Sequence, residues 1–447
     1  MIMRAIPIAL VSLLAGGSAV AVVTLGTVSS PMHSGHGHDR AGPDSGRVAI
    51  LLGTLGRADG VVCELISDQI GNFWSSGERA GVGRFGDSRP ALQAAKDSVG
   101  GTVTDPSAIR LLTASLGADD PCVRRVAGKM LGRSNISEAQ LNTLLSDPSP
   151  RIREAAAYAA GEGDRKEMRP SLERTLADRE TGPAAMSAWA LGELEDHGSL
   201  PALEHAARSG APRVRIAAAW ALGQMEDARA VPDVVPLLRD GDAAVRTVAA
   251  EALGQMKSRE SVAALIGALN DQSVEVREAA VHALGDLEDR SAVVPVERVL
   301  SADASADVRR AAAGALGNLS AARSADVLAR ALSDTDRDVT RAAAEALGDL
   351  DDLHVAPAAL TRALSTRDPE LKRAVVEALK NIGDPTTATA LMSVLTDTDK
   401  EIRLAAVEAL GEIGNAASVP GLTRALNDVD PQVRRAAAEA LGRTKDQ

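Results

Sequence analysis

Three histidines, His33, His36 and His38, lie within six positions near the start of the chain. Imidazole nitrogen is a common ligand of transition metals, so histidines at this spacing can hold an ion. The surrounding residues are polar and contain glycine and serine, and a flexible tract of this kind gives the ring nitrogens no supporting hydrogen bonds. We therefore interpret the tract as a linker and its histidines as weak metal candidates.

Residues 81–86 match the letters G-x-G-x-x-G of the dinucleotide-binding motif. That motif needs a strand before it and a helix after it, whereas Asp87, Ser88 and Pro90 continue a loop. No nucleophile–base pair, pair of carboxylates or phosphate loop emerges elsewhere. Caps and solvated helix faces account for the abundant Asp and Glu, so the sequence predicts no catalysis and no cofactor.

The chain has two cysteines, Cys63 and Cys122. Two cysteines can pair in an oxidising compartment, but their sequence separation does not show whether their Cα atoms come within bonding reach. Each also lies near an apolar helix start, where a lone buried thiol is ordinary. Both interpretations stay open.

A leucine-glycine pair recurs about every thirty-one residues over most of the chain, which indicates a repeated structural unit. Lys380 occupies one place in the series. A period of this length is typical of a solenoid of short repeats. The glycines of the series are Gly132, Gly161, Gly192, Gly223, Gly254, Gly285, Gly317, Gly348, Gly411 and Gly442.

Each period predicts two helices, because its apolar residues recur at spacings of three and four. In the unit that ends at Gly285, the pattern predicts a first helix over 261–269 and a second over 274–284 that stops near the glycine. One stripe of the second helix is apolar and predicted to be buried. It contains Val276, Ala279, Ala280, Ala283 and Leu284.

Eleven such units would form an all-α fold, an α-solenoid or superhelix of two-helix repeats. An Asp in the turn and an Arg early in the second helix also recur, as in Asp271 with Arg277. We expect the Asp to cap the second helix and to accept hydrogen bonds from an arginine of its own or the adjacent unit. The result would be a ladder along the stack.

The turn D-x-x-V-R followed by A-A-x-A-L-G resembles the HEAT-like repeats first described in phycobilisome lyases. The resemblance covers 105–442 and implies the fold rather than an activity, because proteins of this class range from bilin lyases to a di-iron hydroxylase and bacterial scaffolds. Those hydroxylases take ligands from His-Glu dipeptides. None of the seven histidines here is followed by glutamate.

Composition and charge restrict the partner. Only six of 447 residues are aromatic, which suits thin stacks of helices with cores of Ala, Leu and Val. The formal net charge is −12 with both signs interspersed, and nucleic acid would require a basic stripe. We predict a protein partner and no nucleic acid.

Residues 1–30 predict export. Arg4 is the only charge, and an apolar run follows it, with a small-x-small cleavage site at 19–21. The run is also long enough for an uncleaved membrane anchor with the array outside. A wrongly assigned start, or the tail of a longer membrane protein, is the third interpretation. We expect a periplasmic or cell-envelope location, with contact to a membrane through this segment alone.

The chain divides into four segments on this basis. Residues 1–30 form the signal or anchor, 31–46 the linker, and 47–104 a degenerate helical cap that includes a helix over 61–71. Residues 105–447 form the repeat array.

The residue three positions before each repeat glycine gives the clearest indication of a binding site. Late repeats carry glutamate there, which is typical of a solvated face, whereas early repeats carry Tyr158, Trp189 and Trp220. We predict that these rings, with Ile216 and His282, form an exposed partner-binding patch on the concave side. The alternatives are that segment 47–104 folds back over the patch, or that the rings only pack.

The last repeat keeps the internal apolar pattern, so we also expect an open end that docks a partner or a second copy. Taken together, the sequence favours a non-catalytic, exported or membrane-tethered scaffold that binds protein. Two alternatives are a lyase-like protein that binds a tetrapyrrole or small ligand, and a regulatory region derived from a membrane-bound signalling peptidase.

Overall fold

The computed structural model describes residues 43–55, 102–319 and 322–444. These ranges are helical, and their β pairing is confined to an isolated bridge between Val103 and Ser134. The α-helices are α1 (Ser45–Leu55), α2 (Pro106–Ser115), α3 (Pro121–Gly132), α4 (Glu138–Leu145), α5 (Pro150–Glu162), α6 (Arg169–Leu176), α7 (Thr181–Glu193), α8 (Leu200–Ala206), α9 (Pro212–Gln224), α10 (Val231–Val234), α11 (Ala243–Gln255), α12 (Val262–Ala268), α13 (Val274–Asp286), α14 (Val293–Ala302), α15 (Ala306–Asn318), α16 (Ala325–Ala331), α17 (Arg337–Gly348), α18 (Ala358–Ala363), α19 (Pro369–Ile382), α20 (Ala388–Met392), α21 (Lys400–Ile413), α22 (Val419–Ala425) and α23 (Pro431–Thr444).

After α1, the described helices form eleven hairpins, in which even-numbered helices come first and odd-numbered helices second. Seven of the first helices follow a short 3-10 turn. Two of these seven, α10 and α20, are also followed directly by a second 3-10 segment. Each second helix contacts its own first helix and the second helices of the adjoining repeats. The predicted all-α array of two-helix repeats is therefore confirmed.

The unit around Gly285 shows how the pattern produces this packing. Helices α12 and α13 lie where the sequence predicts them, and the five apolar residues of the predicted stripe are at most 6% exposed. Val281 lies outside that stripe and is also fully buried. A second helix buries more than one stripe because it packs against a first helix and against two neighbouring second helices.

The repeat glycine permits close approach of neighbouring second helices. Helix α7 continues one residue past Gly192, so this glycine does not end the helix. A Cβ there would lie 2.8 Å from the Cα of Ala221 in the next repeat and 2.9 Å from the Trp220 ring. Any larger side chain would push the two repeats apart.

The chain leaves several second helices through a residue in the left-handed region. Gly383 and Gly414 have φ of 65° and 60° and directly follow α19 and α21. Five earlier repeats place a non-glycine residue in this conformation. These residues are Asp164, Glu195, Glu226, Lys257 and Glu288, with φ between 47° and 50°.

Helix α1 packs against α2 and α3 of the first repeat. The Ser45 N–H donates to Asp105 Oδ2 at 2.9 Å, and Asp105 also accepts the Ser107 N–H at the start of α2. Helix α1 begins at Ser45, within the last two residues of the predicted linker 31–46. The predictions for segment 1–30, for the histidine tract and for the helix over 61–71 lie outside the described residues.

A ladder of ion pairs connects successive repeats, as predicted. In each rung, a cation of one second helix bonds the turn aspartate of the following repeat at 2.5–2.8 Å. Arg277 also donates through Nη1 to the Asp271 carbonyl in its own turn. The described rungs are Arg153–Asp178, Arg215–Asp240, Arg246–Asp271, Arg277–Asp303, Arg309–Asp334, Lys372–Asp397 and Arg403–Asp428.

The ladder aspartate caps the turn and not the second helix itself. The Asp303 carboxylate accepts the N–H of Ser305, and Ser305 is the N-cap of α15. The predicted N-cap, Asp303, therefore lies two residues before the actual N-cap, Ser305. The reason is that the carboxylate already faces the preceding repeat, where Arg277 binds it.

Candidate functional site

The aromatic column is buried to a larger extent than predicted. Tyr158 is 8% exposed and Trp189 is 3% exposed, and their ring centroids are 5.1 Å apart with a tilt of 31°. Trp220 and Ile216 are partly buried. The expectation of exposed rings is wrong for Tyr158 and Trp189, because each ring turns toward the preceding repeat instead of toward solvent.

The repeat glycines explain this orientation. A Cβ on Gly161 would lie 3.0 Å from Cζ3 of Trp189, and a Cβ on Gly192 would lie 2.9 Å from Cζ3 of Trp220. Each indole therefore covers the glycine of the repeat before it. In the late repeats the same column is solvated as predicted, with the Glu345 side chain 58% exposed.

A charged cluster with one buried lysine lies beside the aromatic pair. Lys129 is 2% exposed, and its Nζ lies 3.4 Å from Glu162 Oε1, which also binds Arg133 at 3.0 Å. Burial lowers the pKa of Lys129 to about 8, against the attraction of Glu162. Burial and the nearby negative charge of Glu162 raise the pKa of Glu193. Lys129 lies three positions before Gly132, in the same column as the rings, and no feature of the sequence indicates its burial.

An apolar cavity of about 480 Å³ opens between α7, α9 and α11 and the start of α13. Trp189 and Ile216 lie in its wall together with Met186, and Arg213 and Glu251 lie among its charged residues. The other lining residues are Ala185, Ala217, Ala243, Ala244, Thr247, Val248, Ser273 and Glu275. We call this the apolar cavity.

A second cavity of about 230 Å³ adjoins the first, since Met186 and Arg213 line both. Tyr158 lies in its wall. Arginine supplies most of its charged side chains, and we call it the arginine cavity. Its other lining residues are Pro121, Arg124, Arg125, Arg151, Glu154 and Ala155.

His282 lies apart from the aromatic residues. Its side chain is 61% exposed, and Nε2 is 3.9 Å from Glu278 in the preceding turn. It lines a further cavity of about 430 Å³ with Arg310, Arg341 and Glu345. The structure therefore brings Trp189 and Ile216 together, places Tyr158 next to them, and separates His282.

The last described repeat exposes apolar side chains. Val429 is 89% exposed, and Val419 and Leu426 are 38% and 37% exposed. Self-association through this repeat stays a prediction, and sedimentation at increasing concentration measures it.

The described ranges give no indication of a metal site or of a membrane-spanning helix. They contain no group of three or more His, Cys, Asp or Glu residues arranged to hold a metal ion. No helix there has both the length and the apolar character needed to cross a bilayer. Cys122 is disulfide-bonded. The only other cysteine of the sequence, Cys63, lies outside the described residues.

The fold and the cavities define a class of protein: an array of two-helix repeats with ligand-sized cavities along its row of second helices. The HEAT repeats family matches residues 176–253, 231–313, 293–366 and 356–442, well over half of the chain. The chain therefore belongs to the HEAT repeats family.

The chain is also similar to a solved structure at low sequence identity. An engineered protein determined by the Northeast Structural Genomics Consortium shares 22% identity and a TM-score of 0.44. The alignment covers 75% of this chain and 98% of that protein. No curated protein matches the sequence.

Proposed function

We propose that this chain is a non-catalytic scaffold that binds a protein partner along the row of its second helices, at the apolar cavity. The observation that carries the proposal is a cavity of about 480 Å³ with Trp189, Ile216 and Met186 in its wall. Concave, mostly apolar sites with a few charged groups are typical of binding sites. The one buried amine described above, Lys129, is 2% exposed, which leaves a substrate no access to it.

Ile216 is the best residue for testing this proposal. Trp189 is unsuitable, because truncating a tryptophan that is 3% exposed would cost about 3–5 kcal/mol of stability and confuse folding with binding. Ile216 is partly buried and lies in the cavity wall. We expect Ile216→Asp to weaken partner capture from native extract at least tenfold, since it places a charge in the contact.

Leu404 provides the matched control. Both residues lie seven positions before their repeat glycine, both are partly buried, and Leu404 belongs to α21, far along the chain from the cavity. Leu404→Asp should change helicity and thermal midpoint as Ile216→Asp does while it leaves capture unchanged. Equal loss of capture in both variants, or no loss in either, would refute a binding role for the apolar cavity.

We also propose that the array works outside the cytoplasm, exported or held by its N-terminal segment. Two observations support this: the apolar run in residues 1–30 and the disulfide at Cys122. Disulfides persist in oxidising compartments. Isolation of the native protein with both thiols free to alkylating reagent would contradict it.

A further inference from the structure

The arginine cavity differs in charge from the chain as a whole. Its charged lining consists of Arg124, Arg125, Arg151 and Arg213 with a single acid, Glu154, whereas the formal charge of the chain is −12. A positive cluster of this kind attracts negatively charged ligands.

Helix stability does not explain the placement of two of these arginines. Arg151 and Arg213 lie in the first turns of α5 and α9, where the helix dipole disfavours cations. Five consecutive later repeats carry acids at the same position, ten residues before the repeat glycine or its Lys380 substitute, and the last repeat carries Gln432 there. These acids are Glu275, Asp307, Asp338, Glu370 and Glu401.

The existing partners of the two arginines are exchangeable. Arg213 bonds Glu154 at 2.8 Å with side chains 43% and 30% exposed, and Arg151 bonds Asp119, which is fully exposed. Surface ion pairs of this kind contribute little stability, so an incoming carboxylate can replace either acid at low cost. Arg124 is held differently, since its Nη1 donates to the Ala118 and Asp119 carbonyls.

The two cavities together set the length of the ligand. They extend over the second helices from α3 to α13, and neighbouring helices pack about 8–10 Å apart, which gives a path of roughly 40–50 Å. An extended chain of about 12–15 residues covers that distance.

We propose that the two cavities bind an extended acidic segment of a partner protein. Its carboxylates contact Arg151 and Arg213 together with Arg124 and Arg125, and a large apolar side chain next to them fills the apolar cavity. The inference rests on the proposed function and adds the chemistry of the partner.

The test uses the full chain and fluorescein-labelled peptides of about 14 residues, the length set by the extended path. One peptide carries a block of glutamates followed by leucines; a second has glutamine for every glutamate, and a third has serine for every leucine. Fluorescence anisotropy measures binding at low and high salt. We expect the first peptide to bind at least tenfold tighter than either of the others, with an affinity that falls as salt screens the charges.

Variants of the arginine cavity sharpen the test. Arg151→Gln and Arg213→Gln should each weaken binding of the acidic peptide about two- to fivefold. Glu154→Gln should tighten binding by a similar factor, because it removes the negative charge that lies beside Arg213. Arg435→Gln is the control, since Arg435 is an exposed arginine of the last repeat, 78% exposed. Circular dichroism verifies that all four variants are folded.

The outcomes separate the two proposals. If Ile216→Asp abolishes capture of the native partner while the acidic and glutamine peptides bind equally, the scaffold proposal stands and the acidic partner is refuted. Preferential binding of a tetrapyrrole such as biliverdin over every peptide would also overturn the inference. Loss of both capture and acidic-peptide binding in Ile216→Asp would support both.

Discussion

At two places in the ladder, neither the cation nor the aspartate of the ion pair is present. Ala184 and Ser209 occupy one rung, and Thr340 and Thr366 occupy the other. The Ser209 hydroxyl still accepts the Ala211 N–H, and the Thr366 hydroxyl accepts the Asp368 N–H, so the turn keeps its cap. Removing one partner alone would leave a largely buried charge unpaired, which costs more than removing both.

We therefore expect strong non-additivity at the Arg277–Asp303 rung, whose side chains are 14% and 8% exposed. Arg277→Ala and Asp303→Ser should each lower the free energy of unfolding by about 2 kcal/mol. The double variant, which imitates Ala184 with Ser209, should be more stable than the sum of the single variants by at least about 1 kcal/mol. Urea denaturation followed by circular dichroism measures all three. Additive losses would show that the rung contributes no coupling.

Different residue types occupy the left-handed position that follows several of the second helices. The left-handed conformation disfavours side chains, yet five repeats place Asp, Glu or Lys there, whereas Gly383 and Gly414 serve later repeats. Repetition of the backbone path imposes this conformation, because each second helix must return to the first-helix layer within a few residues. The glycine that shows the repeat in the sequence lies earlier, at the contact between neighbouring second helices.

Lys257→Gly should therefore stabilise the protein. Lys257 is exposed with φ of 48°, and glycine removes the steric cost while adding entropy to the unfolded chain, for a net gain of roughly 0.5–1 kcal/mol. Gly383→Ala is the reverse control. Its new Cβ would meet nothing nearer than the Lys380 carbonyl at 4.0 Å, so any loss would be conformational. Thermal unfolding measures both, and a lower midpoint for Lys257→Gly would refute the argument.

At the scale of the whole molecule, the ladder makes stability depend on pH. The pKa of each of the seven rung aspartates is lowered from 3.8. In six of them the largest cause is the hydrogen bond from arginine. For Asp397, burial acts first and in the opposite direction, and the bonds from Lys372 and the Asp399 N–H outweigh it.

A folded-state pKa below the unfolded value means that the stabilisation is present above about pH 4 and is lost as pH falls through the folded values. We expect the thermal midpoint to be nearly constant between about pH 7 and 5 and to fall steeply below pH 4. The Arg277→Ala, Asp303→Ser double variant should show a shallower fall, since it has one rung fewer. A midpoint unchanged down to pH 3 would contradict the role of the ladder.

The sequence by itself determined the repeat, the two helices in each unit, their buried stripe and the recurrence of an Asp and an Arg that form a ladder. These features depend on local spacing, and the same local solution recurs in each unit. The unit around Gly285 was predicted to within two residues at each helix end.

Only the tertiary structure decided which way side chains point where the second helices of neighbouring repeats meet. Tyr158 and Trp189 occupy a column that is solvated in late repeats, but the glycines of the preceding repeats leave space into which the rings turn. The cavities and the cluster of arginines arise in the same way, from residues of three or more repeats. A spacing along the chain fixes which face of a helix a residue occupies, whereas burial depends on the shape of the neighbour that meets that face.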